Sequence, residues 1–294
     1  MVHNNIFNAN VVQMRQMRQR RQMRQLRLMW EIRKIQKNML YNFSGRGKKA
    51  LLIGINYNGT SYQLAGCIND AMNLRNVLVG RYGFSSFNVN VLTDDTAIKP
   101  TRDNIFNNIK AMLQGAQSGD VLFLSYSGHG SYITDKNGDE TDKKDEVLVG
   151  CDIKYIVDDD LRQLLITYLK PTVTLVVLSD SCFSGTVFDL KYQYMDTQYN
   201  TQFSTNVKVA PTPGNVVLIS GCQDNQYSAD AYINNKDQGA MTWAFLTQLA
   251  ATPRPTWQNL VAGMRVLLKS KKFTQVPQLS TGRLMNVANT TIGF

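Results

Sequence analysis

Cys182 lies 53 positions after His129 (182 minus 129), and each residue sits just past an apolar run. A thiol becomes a working nucleophile when a base takes its proton, and imidazole suits that task best near neutral pH. The chain has two histidines, and the other, His3, falls in a terminal stretch without pattern. His129 is therefore the one plausible base for Cys182. A Cys with a His about 50 residues upstream is a recurring arrangement of such a pair. A lone Cys and a lone loop His are more often structural. Here both are flanked by small residues, in Ser127-Gly128-His129-Gly130 and Ser181-Cys182-Phe183-Ser184-Gly185.

Two strands must position this pair. Residues 172–178 form a short, β-branched, nearly unbroken apolar run, and residues 120–126 form another. That pattern predicts central strands of a parallel sheet, buried on both faces. The polar segments that follow fall at the carboxyl ends of the strands, where open α/β sheets place their chemistry. Further strands are expected over 50–57, 87–92 (alternating, at an edge) and 215–220. Helices are expected over 65–79, 101–113 with Thr101 as N-cap, 158–169 with acids at its positive end, 239–249 and 256–270. Residues 131–146 read as a polar hairpin or loop. Strands alternating with helices predict an α/β fold, a mostly parallel central sheet with helices on both faces.

The net charge of +10 is unevenly placed. Residues 1–50 carry 12 Lys/Arg against Glu31 alone, or +11, and the remainder has 20 basic and 21 acidic residues, or −1. The expected organisation is a basic arm and linker over 1–49 and one domain over 50–294. Within the domain, 50–190 is a large part, 191–213 a linker and 214–294 a small part. The arm lacks Gly and Pro over 11–39, which favours helix. There is no secretory apolar stretch and no run of 18 apolar residues, so neither export nor a membrane span is expected. A cytoplasmic location follows; an Arg-rich start also suits a mitochondrial presequence, but no Ser precedes Ser44. Four cysteines without paired spacing point to reduced thiols. A single His in the body argues against zinc. Asp135-x-Asn137-x-Asp139 fails as an EF-hand loop, because Glu140 stands where Gly is required.

Tyr126-Ser-Gly-His-Gly130 and Asp180-Ser-Cys-Phe-Ser-Gly185 resemble the two signatures of metacaspases, the caspase-fold cysteine peptidases. The resemblance runs from about residue 50 to 294, and the order of the parts is similar to type I members. It implies a caspase-like sandwich and peptide-bond hydrolysis by a Cys182–His129 dyad. It also implies oxyanion donors at the N–H groups of Gly130 and Cys182, and a specificity pocket lined by Cys67, Asp70, Ser127 and Asp180. Two carboxylates in one small pocket repel until a cation arrives, so peptide substrates with Arg or Lys before the cut are expected. An acidic side chain would be rejected. The resemblance further implies Ca²⁺, held by Asp145, Asp158, Asp159 and Asp189. Read without it, Asp158-Asp159-Asp160 is more simply a helix-start cluster.

Self-processing is expected in exposed basic stretches: 46–49, Lys143-Lys144, Lys191 or Lys208. The family usually has His directly after the nucleophile, where this chain has Phe183. That departure leaves open a fold-retaining scaffold or regulator tethered by the basic arm. Nucleic-acid binding through residues 11–39 is disfavoured by the neutral body and the lack of a known module. The active species is expected to be a monomer.

Overall fold

Four strands of this chain carry apolar residues on both faces, and both faces are covered. The computed structural model describes residues 14–27, 40–43, 45–134, 144–181, 187–194, 203–221, 230–233 and 236–294. It divides into two compact units, Met1–Leu40 and Tyr41–Phe294. In the first, residues 14–27 are helical and exposed throughout. The second holds the sheet.

The strands and helices of the second unit alternate over its first half. They run β1 (Lys48–Gly54), α1 (Cys67–Arg81), β2 (Val89–Thr93), α2 (Arg102–Gly115) and β3 (Val121–Ser127). A hairpin and short strand follow, β4 (Gly130–Thr134), β5 (Lys144–Val149) and β6 (Tyr155–Val157), then α3 (Asp158–Tyr168) and β7 (Thr174–Asp180). The later elements are β8 (Tyr192–Tyr194), β9 (Ser204–Thr205), β10 (Asn215–Ser220), β11 (Asp230–Ile233), β12 (Lys236–Gly239), α4 (Ala240–Ala251), α5 (Trp257–Ser270) and β13 (Gln278–Thr281). The main sheet has the order β2-β1-β3-β7-β10-β13-β8-β9. β2, β1, β3, β7 and β10 are parallel, and the last three strands are antiparallel.

Side-chain alternation sorts the core into two layers. Ala50, Leu52, Phe123, Val176, Leu178, Val217 and Ile219 face α1, α4 and α5. Leu51, Ile53, Leu122, Leu124, Leu175, Val177, Val216 and Leu218 face α2 and α3. A strand buried on both sides has no polar face, which is why these segments read as continuous apolar runs. Thr101 caps α2 as the sequence predicts, its Oγ1 accepting the Asn104 N–H at 3.3 Å. Phe43 is buried and β1 begins at Lys48, so residues 42–49 are built into the second unit where their composition reads as a linker. Lys49 in particular is fully buried, which removes it from the exposed processing sites, whereas Arg46 is exposed.

Lys49 is buried because it is paired. Its Nζ donates to Asp120, which is only 2% exposed and ends the turn before β3. Asp120 also accepts the N–H groups of Gly47 at 2.7 Å and Gln117 at 2.8 Å. Burial pushes its carboxyl up, but the bonds from Lys49, Gln117 and Gly47 outweigh that and hold it below the ordinary value. A carboxyl depressed in the fold adds stability above its unfolded pKa, and loses it as pH falls through the folded one. Lys49→Met, which strands the carboxylate, is expected to cost about 3–5 kcal/mol in urea unfolding at pH 7. Lys49→Met/Asp120→Asn recovers much of that loss. The gap between wild type and Lys49→Met narrows as pH falls through the range where the stranded carboxyl, released from Lys49, takes up its proton.

Candidate active site

Three neighbouring strands end at one level. Gly54 of β1 pairs with Ser127 of β3, and Ser127 pairs with Asp180 of β7. The Gly128 N–H still reaches the Asp180 carbonyl at 3.3 Å. His129 stands two residues past Ser127, and Cys182 two residues past Asp180. Adjacent strands are about 4.8 Å apart, so the register sends both chains off the same edge from neighbouring positions. Cys182 and Phe183 themselves lie outside the described residues, as do Lys143, Asp135–Asp139 and the 222–229 turn.

His129 is gripped from several sides. Its N–H donates to the Tyr57 hydroxyl at 2.9 Å. Its carbonyl accepts from the Tyr126 hydroxyl at 2.7 Å and the Val149 N–H at 3.1 Å. The Tyr57 ring lies 4.7 Å from the imidazole, centre to centre. Burial, reinforced by Tyr126, pushes the Tyr57 hydroxyl well above its usual pKa, so it stays a neutral hydrogen-bonding group. Gly128 lets the chain cross these hydroxyls: a methyl there would stand 2.8 Å from that of Tyr126 and 3.0 Å from that of Tyr57.

The ring is also fixed. Nε2 lies 2.7 Å from the Tyr62 carbonyl. A carbonyl can only accept, so Nε2 carries the proton and Nδ1 is left as the base. Sequence reading found no third member for the dyad, and none was legible, because the group is a main-chain oxygen in a loop.

The pocket residues gather on the other side of β3. Asp70, Ser127 and Asp180 are buried, and the Ser127 hydroxyl donates to Asp70 Oδ2 at 2.7 Å. Cys67, also buried, lies one turn before Asp70 on α1. Both acids turn toward the start of α4. The Gly239 N–H donates to Asp70 at 3.0 Å. The Thr242 N–H and hydroxyl donate to Asp180 Oδ2 at 2.8 and 2.9 Å. These are first-turn amides that a helix cannot satisfy itself, and anions at this end are favoured by the helix dipole. Gly239 fits between the two: a methyl there would overlap Asp180 Oδ2 and stand 2.7 Å from Asp70 Oδ2. Gly239 and Thr242 were not singled out in the sequence, where they read only as a helix start.

A second acidic group forms at the β5–α3 junction. Asp145, Asp158 and Asp159 offer carboxylate oxygens all within 4.8 Å of one another. Oxygens sharing one Ca²⁺ at 2.3–2.6 Å can stand up to about 5 Å apart, so this donor set fits that ion. Asp158 accepts the Glu146 N–H at 2.6 Å and the Asp159 N–H at 2.7 Å. Burial, with the charge of Asp145 beside it, nonetheless pushes its carboxyl up to about 7. Asp189 is not one of these three; it is buried in the loop after β7, with φ +44°, and its carbonyl accepts from Arg162 of α3 at 2.9 Å. Glu146, buried beside Asp158, is an acid that the sequence reading missed. Cys151 is no rival nucleophile, because burial pushes its thiol up to about 11.

His129, its Nε2 held by a main-chain carbonyl, thus stands at the carboxyl edge of an α/β sheet whose neighbouring strand ends in one of two buried acids. A family model described as "Metacaspase, peptidase C14 domain" matches residues 48–191. Metacaspase-1 of Kluyveromyces lactis is 37% identical, over 79% of this chain and 65% of that protein. Metacaspase-1 of Meyerozyma guilliermondii is 37% identical, over 82% of this chain and 71% of its own. A crystal structure of a Geobacter sulfurreducens protein is similar at 26% identity, with a TM-score of 0.59 over 80% of this chain and 93% of that one. The chain belongs to the metacaspase family, and its sheet with helices on both faces is the caspase-like sandwich expected. It spans about two thirds of the length of the curated relatives it matches.

Gly239→Ala is expected to lower stability by about 1–3 kcal/mol through overpacking between the two carboxylates. Tyr57→Phe, which leaves the His129 N–H without its hydroxyl partner, is expected to cost about 1–3 kcal/mol. Chemical unfolding of both variants checks these values.

Proposed function

We propose that this chain is a cysteine endopeptidase that cleaves after Arg or Lys, requires Ca²⁺ and works through Cys182 and His129. The level ending of β3 and β7 carries the reading, because it puts the two chemically competent residues at equal offsets beyond adjacent strands. Nδ1 of His129 takes the Cys182 proton, and the thiolate attacks the scissile carbonyl carbon. The N–H groups of Gly130 and Cys182 stabilise the oxyanion, a contribution on the order of 10²–10³ in rate per donor. The C–N bond breaks as the imidazolium gives its proton to the leaving amine. Water, deprotonated by the same nitrogen, then hydrolyses the thioester and restores the thiol.

Specificity rests on Asp70 and Asp180. An arginine or lysine side chain supplies the positive charge that two adjacent buried carboxylates favour. Asp145, Asp158 and Asp159 are the residues that would hold Ca²⁺, which supplies the charge needed to keep all three ionised together. β5, which carries Asp145, also carries Val149, whose N–H holds the His129 carbonyl. Self-processing fits exposed Lys208 better than buried Lys49.

Fluorogenic peptides with Arg or Lys before the reporter are expected to be cut in Ca²⁺ and not in chelator. Cys182→Ala should lose at least about 10³-fold in rate. A peptide with Asp in place of Arg should stay intact. Turnover that persists in chelator, or equal cutting after Asp, would refute the corresponding part. Calcium is tested separately by melting. At 100 times Kd the ion adds about 2.7 kcal/mol, so Tm should rise in wild type and not in Asp158→Ala.

A further inference from the structure

We propose that a second subsite, next to His129, takes a large apolar side chain from the residue that follows the cut; this deepens the peptidase reading above and rests on it. A cleft of about 220 Å³ is lined by Tyr62, His129, Gly130, Val149, Ile153 and Tyr155, with Ser131. None of Asp70, Asp180, Gly239 or Thr242 lines it. It is therefore distinct from the pocket for the residue before the cut.

Its place relative to the reaction follows from proton transfer. The group that protonates the leaving amine must touch that amine, within about 3 Å. The residue carrying the amine then lies against the imidazole, and its side chain enters the cavity that the imidazole walls. Gly130, the expected oxyanion donor, stands in the same wall. The cleft thus begins at the scissile bond and leads away on the amine side.

The walls set the chemistry. Tyr62, Ile153 and Tyr155 are 55%, 38% and 47% exposed, large apolar groups turned to solvent around one histidine. A cavity of roughly 150 Å³ holds a benzene-sized group, so this cleft has room for a leucine, phenylalanine or tyrosine side chain. Among the described residues it presents no acid or Lys/Arg side chain to select a charged one.

Ile153 supplies the second, independent observation. Its φ is +57°, a left-handed conformation in which a β-branched residue is an outlier. The turn that imposes it is closed by the Ile153 N–H to Gly150 at 2.9 Å and the Gly150 N–H to Lys154 at 2.8 Å. It is anchored to α2, where Asp152 accepts the Arg102 N–H at 2.9 Å. Glycine would meet that backbone requirement without strain. A strained isoleucine, exposed and facing the cleft beside the base, is the kind of outlier that points to use of the side chain.

A random peptide library digested in Ca²⁺ and sequenced at the new ends tests this. The residue before each cut reads the Arg/Lys proposal, and the residue after it reads this one. Wild type should enrich Leu, Ile, Met, Phe and Tyr after the cut, by on the order of tenfold over Gly and Asp. In Ile153→Gly the enrichment should fall toward one while Tm holds or rises, since backbone strain is released. Tyr155→Lys, on a surface strand, should turn the preference toward Asp and Glu. Where Ile153→Gly melts low, Tyr155→Lys decides alone. No apolar enrichment in wild type, or a profile unchanged in both variants, overturns the subsite. An uncut library overturns the peptidase reading and the subsite with it.

Discussion

Everything at this site depends on parallel strands that stop together. The β1–β3–β7 ladder locks Gly54, Ser127 and Asp180 into one row, and the apolar layers on both faces leave no freedom to shift. A slip of one residue in any of these strands would exchange its two buried faces. The register is therefore enforced by the whole core rather than by the few groups at the edge. The edge residues are free to be small and polar because the strands beneath them are not.

Electrostatic order at that edge comes from a helix end. Asp70 arrives on α1 and Asp180 on β7, and both accept amides at the start of α4. That arrangement fastens α1 and β7 to the start of α4 through charge meeting dipole. It also accounts for two acids held buried around one glycine. Ser127 and Thr242 hydroxyls complete the shell. The contrasting case is Lys49 with Asp120, where a full positive charge does what the helix end does here.

How legible this was depended on how local each cause is. β10 and the Thr101 cap were readable to the residue because an apolar run or a side-chain cap is written in contiguous sequence. His129 was readable because histidine is so scarce. The Lys49–Asp120 pair was not, since 71 positions separate its members and basic residues near the arm look solvated. The Tyr62 carbonyl has no residue-type signature at all. Gly239 was equally silent, because its importance comes from two carboxylates brought to it from elsewhere in the chain. Asp189 was legible only through the family pattern, because its place beside α3 is made by the fold.

One strand ties two chemistries to a common ruler. β5 carries Asp145 at one end and Val149, which holds His129, at the other. Four residues of strand span about 13 Å. What the strand can pass along is position: a shift of its backbone moves an amide and a carbonyl that the histidine and two tyrosines share. The strand is in this sense a pushrod, transmitting displacement along its length.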